Sequence, residues 1–507
     1  MSSVGKRLNP IQHILFRPDM YIGDVRTCDI SMYVLSSDKK SFVFENVTLN
    51  LGIYHIIKEI LSNAVDNIWV ENSNQTFISC TIEDTGRIII KNDGRPIPIT
   101  LTDYKYLDHI TGQESVDSMY PAEMFFGYLH SGTNFDDTEK RKKSGRNGIG
   151  SKATCIFSKH FKVDHADGSK RLIVEYRDNL GNRLKPRIST SREIYTEISF
   201  LPDYDRFYQA LVTDKNGTLK DYSIISGLAN VLEKLCYDYA MVTGITVSFK
   251  KFSERRRDIV IDETRYLEMM YGKCKSISCK TDDTTFILLD NKDSTARNVI
   301  SFVNGLSLST GVHIDSWRDA IYRQLTREIN KILADKEIKT TAKLLQSYTS
   351  IFLRCELDNP QFDSQTKTNL TSPNVTPCKL SDSDIDQISK WPFMKNMIEY
   401  LSNLKSDTAS KKISSIEKST LRKKIITGSN FIDAADAGRS GTDCTLWLTE
   451  GISAMALVVS MSPYLKGSQS KNGILALKGK TMNILKATDE NIALNKEFQL
   501  IQQAIGL

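Results

Sequence analysis

The 507 residues suit two to four domains, and a composition 40% hydrophobic and 25% charged is that of an ordinary globular protein. No apolar run approaches the ~20 residues of a membrane span, and the opening MSSVGKRLNP lacks the apolar stretch of a secretory signal. A net charge of +6 permits nucleic-acid binding without demonstrating it, and nine scattered cysteines form no disulfide or zinc framework, so reduced thiols in an intracellular protein are expected.

In chain order, the first informative element is Ile57 to Asn67, IKEILSNAVDN, which reads as an amphipathic helix. Glu59, Asn63 and Asp66 line one side at i, i+4 and i+7, while Ile56, Ile57, Ile60, Leu61, Ala64 and Ile68 fill the other. A carboxylate there can polarise a water, and an amide oxygen one turn on suits Mg²⁺. The ordinary alternative is a solvated helix face. Strands follow at Thr76 to Ile82 and at Arg87 to Lys91, the second ending in the turn Asn92-Asp93-Gly94-Arg95-Pro96. Ser144-Gly145-Arg146-Asn147-Gly148-Ile149-Gly150-Ser151-Lys152 is a glycine-rich loop opening a helix, a phosphate-binding arrangement that lacks the ending of a P-loop. Another strand is expected at Ile194 to Leu201.

The second half reads as a further α/β unit. Its strand at Asn298 to Val303 precedes a long helix from about Trp317 to Leu333, a strand at Ser350 to Glu356 and the loop Gln365-Thr366-Lys367. Ser402 to Lys424 is rich in Lys and Ser, as an exposed helix or linker would be. Cys444 to Leu448 is a short strand that delivers Glu450 to its C-terminal end.

The helix, the Asn-Asp-Gly turn and the glycine loop, in this order, resemble the GHKL ATPase fold shared by type II topoisomerases, Hsp90, MutL and sensor histidine kinases. Four more segments resemble type IIA topoisomerases specifically: His13 to Gly23 their opening segment, and Phe302-Val303-Asn304-Gly305 with Gly311, His313 and Asp315 their transducer. Asn359 to Lys367 resembles the switch-lysine loop, and Leu448 to Ala454 the start of a TOPRIM domain. The wording is closer to eukaryotic and large-DNA-virus topoisomerase II than to gyrase.

The resemblance implies an α+β chain. Residues 1–260 would form a GHKL (Bergerat) ATPase sandwich, 261–405 a transducer of ribosomal S5-like α/β fold, 406–432 a linker and 433–507 the N-terminal part of a TOPRIM domain. It implies ATP and Mg²⁺ as cofactors. Glu59 would be the general base, Asn63 the Mg²⁺ ligand and Asn92 the adenine contact. Gly132, Thr133 and Asn134 would meet ribose or phosphate. Gly145, Arg146, Asn147, Gly148, Ile149, Gly150, Ser151 and Lys152 would wrap the triphosphate, and Lys367 would reach the γ-phosphate beside Gln365 and Thr366. For Lys367 the plain alternative is a solvated loop lysine. Lys331, Lys336, Lys339 and Lys343 would face captured double-stranded DNA or simply solvent, and Lys478 and Lys480 resemble a DNA-proximal segment with lysine in an arginine's place. Glu450 would bind a metal for strand cleavage.

The sequence departs from the family pattern at Pro96 for a second glycine, Gly132 for a serine and Ile452 for an acidic residue, and its segment before Leu8 lacks a tyrosine. The expected function is the ATPase region of a DNA topoisomerase, a homodimeric ATP-operated gate that needs the TOPRIM remainder and cleavage domain in cis or as a separate subunit. It would work in a nucleus or, for a virus, in the host nucleus or a cytoplasmic factory. The rivals are a MutL-like repair protein, an Hsp90-like chaperone, or an ATP-binding clamp with vestigial hydrolysis.

Overall fold

A computed structural model describes residues 8–107, 112–129, 131, 149–290, 299–363, 367–407, 431–437, 443–477, 500–501 and 504–505. The chain packs as two units, Met1–Asp335 with Thr340–Phe393, and Lys336–Lys339 with Met394–Leu507. No described helix is long and apolar enough to cross a membrane.

The first unit begins with short helices α1 (Pro10–Phe16) and α2 (Asp19–Ile22), then a hairpin of β1 (Thr27–Leu35) and β2 (Phe42–Asn50) that runs directly into α3 (Leu51–Asp66). Asn50 stops the strand and starts the helix. Its side chain accepts from the Ile53 N–H at 3.2 Å, satisfying one free donor of the first turn. Ile53, Ile56, Ile57, Ile60 and Leu61 are all at most 1% exposed, the i, i+3, i+4 stripe that fastens α3 to the core. Full burial of each such side chain contributes ~1.5–3 kcal/mol.

Next come β3 (Phe77–Ile82), β4 (Ile88–Asn92), the hairpin β5 (Thr102–Leu107) with β6 (Glu114–Met119), α4 (Pro121–Gly127) and α5 (Gly150–Ile156). They are followed by β7 (Ser158–Asp167), β8 (Lys170–Arg177), β9 (Asn182–Arg183), β10 (Arg187–Thr190), β11 (Ile194–Pro202), α6 (Tyr204–Tyr208), α7 (Ser226–Thr243), β12 (Thr246–Lys251), β13 (Arg257–Ile259) and α8 (Glu263–Tyr271). The main sheet runs β10-β8-β7-β11-β4-β3-β12-β13 with β9 on β8, and its only parallel pair among these is β3 with β12. Residues of α3, α5 and α7 share one buried cluster with the sheet's inner face.

A second sheet, β14 (Ser276–Lys280), β15 (Thr284–Asp290), β19 (Thr349–Cys355), β16 (Val299–Val303) and β17 (Leu306–Leu308), follows in that spatial order. Between β17 and β19 lie β18 (Thr310–Gly311), α9 (Val312–Ile332) and α10 (Ala342–Tyr348). Trp317 of α9 stacks on Phe286 of β15 with centroids 4.9 Å apart. The long helix therefore begins five residues before Trp317, because Gly311 at φ 143° turns the chain into it. β20 (Gln361–Phe362) and β21 (Asn369–Ser372) pair beside β18, so Lys367 sits in the loop just ahead of β21.

Cys279 on β14 and Cys378, 99 positions later, are brought side by side; spacing along the chain gave no sign of it, because the approach is made by the fold. Cys80, Cys155, Cys236 and Cys355 are free thiols and buried.

In the second unit, β22 (Phe431–Ile432), β24 (Asn472–Leu477) and β23 (Thr445–Glu450) form a sheet in that order, with β23 and β24 parallel. Helix α11 (Gly451–Met461) leaves the end of β23 directly. Ser402 to Asp407 end a helix, and 408–430 lie outside the described residues.

Candidate functional site

The site is built on α3. Glu59 is 6% exposed although it is a carboxylate, and such burial requires compensation. Lys367 supplies it across 308 positions: its Nζ lies 3.1 Å from Glu59 Oε1 and 3.4 Å from Oε2. Lys367 is itself 8% exposed and adopts φ 53°, a left-handed conformation that a lysine takes only when its surroundings fix it. His55, one turn before Glu59, places Nε2 3.8 Å from Oε1. Burial pushes the His55 imidazole down to about 4, so it is neutral near pH 7. Burial alone would raise the Glu59 carboxyl, but the charge of Lys367, with His55 and Lys58, outweighs it and holds the group below its ordinary value.

Helix α5 closes the other side. Thr154 Oγ1 donates to the Ile56 carbonyl at 2.9 Å and ties the two helices together. A Cβ on Gly150 would meet the Glu59 carboxylate and push it aside, so glycine there permits the close approach of α5 to that carboxylate. Lys152 on α5 is 2% exposed and donates to the Ser131 carbonyl, and burial lowers its ammonium to about 8. An ammonium held this way is a ready partner for an incoming anion. Ser151 donates to the Phe125 carbonyl at 3.3 Å, and Ile149 immediately precedes α5.

Asn63 is exposed one turn beyond Glu59, while Asp66 is buried. Asn92 ends β4 at 6% exposure and its Oδ1 accepts from the Gly94 N–H at 3.1 Å. Asp93 accepts from the Thr76 and Phe77 N–H groups, which secures the turn against β3. The sequence reading did not single out His55 or Lys58. His55 lies at i−4 from Glu59, so the spacing that picked Asn63 forwards would have found it backwards.

Gly132, Thr133, Asn134, Gly145, Arg146, Asn147, Gly148, Gln365, Thr366, Lys478 and Lys480 lie outside the described residues. Lys331 and Lys343, on α9 and α10, are exposed, and Lys331 is paired with Glu328 at 2.7 Å. Lys336 and Lys339, which belong to the second unit, are also exposed. In that unit Glu450 is exposed at the C-terminal end of β23, and Ile452 is 60% exposed on α11. No group of three or more His, Cys, Asp or Glu among the described residues is placed to hold a metal. One exposed amide such as Asn63 still fits Mg²⁺ delivered with a polyphosphate, since that ion keeps waters and phosphate oxygens and takes few protein ligands.

Comparison with known proteins agrees across the chain. Residues 262–423 match the DNA gyrase B family. DNA topoisomerase 2 of Candida albicans is 30% identical over 530 aligned positions, covering 100% of this chain and 34% of that protein. The DNA topoisomerase 2 of Invertebrate iridescent virus 6 is 29% identical, covering 99% and 44%. The chain thus spans well under half the length of these curated relatives. Among solved structures, the ATPase and transducer domains of topoisomerase II from Balamuthia mandrillaris superpose with a TM-score of 0.66 at 28% identity, over 80% of this chain and 98% of that one. The ATPase region of Saccharomyces cerevisiae topoisomerase II does so with 0.63 at 26%, over 79% and 99%.

Proposed function

We propose, given that this chain belongs to the type II DNA topoisomerase family, that it is the family's ATP-operated gate: it binds and hydrolyses ATP, dimerises on binding it, and so captures a DNA duplex for strand passage. The observation that carries the reading is the buried contact between Glu59 and Lys367. Glu59 takes the part of the base that orients and deprotonates the attacking water, and Lys367 that of the cation facing the γ-phosphate. Both groups then act at one reacting centre from distant parts of the chain. Phosphoryl transfer asks for positioning and charge neutralisation more than covalent help, and a buried carboxylate beside a buried ammonium supports both.

Asn63 would hold Mg²⁺, which supplies charge neutralisation at the phosphates. Lys152 would bind a phosphate oxygen, leaving the Ser131 carbonyl. Asn92 would read the adenine at the end of β4. The exposed lysines Lys331, Lys336, Lys339 and Lys343 would contact DNA phosphates in a salt-sensitive, sequence-independent way.

Strand cleavage is assigned to further TOPRIM and nucleophile-bearing segments, in cis or as a separate subunit, with Glu450 contributing one metal ligand. The compartment follows the DNA: a nucleus, or for a virus the host nucleus or a cytoplasmic factory. Steady-state phosphate release from the pure chain tests the reading. Glu59→Ala is expected to cut turnover ~10²–10⁴-fold while nucleotide binding persists, since the base acts on water and not on the bound ground state. Turnover within a few-fold of the unmodified chain would refute the assignment of the base.

A further inference from the structure

Tyr54 and Lys58 of α3 line a cavity of about 190 Å³ in which Glu59 takes no part. Its wall is shared between α3 and α7 on one side and the β16–β17 hairpin of the second sheet on the other. The volume is well above the ~10–15 Å³ that one water requires.

The polar lining is unevenly satisfied. Asp238 on α7 is already engaged: Lys234 Nζ lies 2.7 and 2.9 Å from its two oxygens, and the Tyr266 hydroxyl donates to Oδ1 at 2.6 Å. Lys58, on α3 at i+4 from Tyr54, also lines the cavity, and it makes no hydrogen bond or ion pair with any described residue. Two ammonium groups and one carboxylate leave the lining one positive charge in excess. Lys58 is half-buried, and the space it faces is where a counter-anion would meet it. Burial, with the charge of Lys367, also lowers the Lys58 ammonium against the opposing pull of Glu59 and Asp238. Beyond the charge, the wall is apolar, with Val231, Leu235 and Met270, and the hydroxyls of Ser307 and Ser309 stand at the hairpin.

We propose that this cavity is a binding site for a small monoanion with a short apolar body, a short-chain monocarboxylate, held by Lys58 through a charge-assisted hydrogen bond and by the aliphatic wall through its tail. Phosphate-rich ligands are disfavoured by the single surplus charge and the apolar half of the lining. The site is separate from the one assigned to the nucleotide and does not depend on that assignment.

The probe is butyrate, titrated into the full chain by calorimetry and by ligand-observed NMR, with butylamine as a probe of the same body and opposite charge. Butyrate is expected to bind saturably with one site per chain, and butylamine not at all. Lys58→Met keeps the stem and removes the charge, and should weaken butyrate about ten- to a hundredfold. Val231→Phe fills the apolar half and should weaken it as well, and saturating ADP should leave binding unchanged. Absence of saturable butyrate binding, equal binding of butylamine, retention of affinity in Lys58→Met, or displacement by ADP would each overturn the proposal. The butyrate and butylamine pair needs no variant, so the test stands even where a substitution prevents folding.

Discussion

Burial raises the proton affinity of Glu59 while Lys367, His55 and Lys58 lower it, and the charges win. Because the folded value lies below the ordinary carboxylate value, the pair stabilises the fold fully above about that value, and the contribution is lost as pH falls through the folded one. Lys367→Ala reverses the sign. Burial then dominates, the folded value rises above the unfolded one, and the variant loses stability as pH rises. Melting temperatures of the two proteins are expected to diverge as pH rises above the ordinary carboxylate value, with a deficit of ~3–5 kcal/mol once the variant's buried carboxyl must be charged. A gap that stays constant with pH would show that Glu59 does not rely on Lys367. The sequence marks Glu59 by helical spacing and Lys367 by its loop motif, separately. Nothing in it marks that they touch, since that contact exists only after the second half has folded against the first.

At the level of elements, α3 shows why a helix can be legible in its middle and hidden at its start. The apolar spacing from Ile57 onward is plain, yet the helix begins at Leu51. The start is set by Asn50, whose amide is fixed from far away. Its Nδ2 donates to the carbonyls of Val25 at 2.5 Å and Phe207 at 3.2 Å, the second 157 positions distant. Asn50→Ala removes the cap and leaves one buried carbonyl short of a donor, and is expected to cost ~2–4 kcal/mol. The midpoint of urea unfolding measures it, and a loss under ~1 kcal/mol would mean that the cap alone matters. The same lesson holds for α9, expected from about Trp317, which begins at Val312 because Gly311 redirects the chain.

Over the whole molecule, motifs and packing draw different lines. Motifs separate residues 1–260 from 261–405, while one buried cluster includes Ile53 and Phe157 together with Tyr266, Phe302 and Phe352. A shared core couples the stability of both parts, and three histidines make it acid-sensitive. His55, His165 and His313 are each depressed to about 4 by burial, against an ordinary 6.5. The unfolded chain takes up these protons as pH falls below about that ordinary value and the folded chain does not until near the depressed one, so acid favours unfolding across that window. The melting temperature is expected to fall steadily as pH is lowered through it, and His165→Phe, which removes one of the three, should flatten the slope; an unchanged slope would count against His165 as a contributor. The span of 308 positions between Glu59 and Lys367 also has a meaning in time. A ribosome adding ~5–20 residues per second takes roughly 15 to 60 s to make that stretch. Throughout that interval the helix bearing Glu59 exists without the lysine whose charge lowers the proton affinity of the carboxylate. The ion pair that compensates the buried Glu59 carboxylate is therefore completed only once Lys367 has emerged and folded against α3.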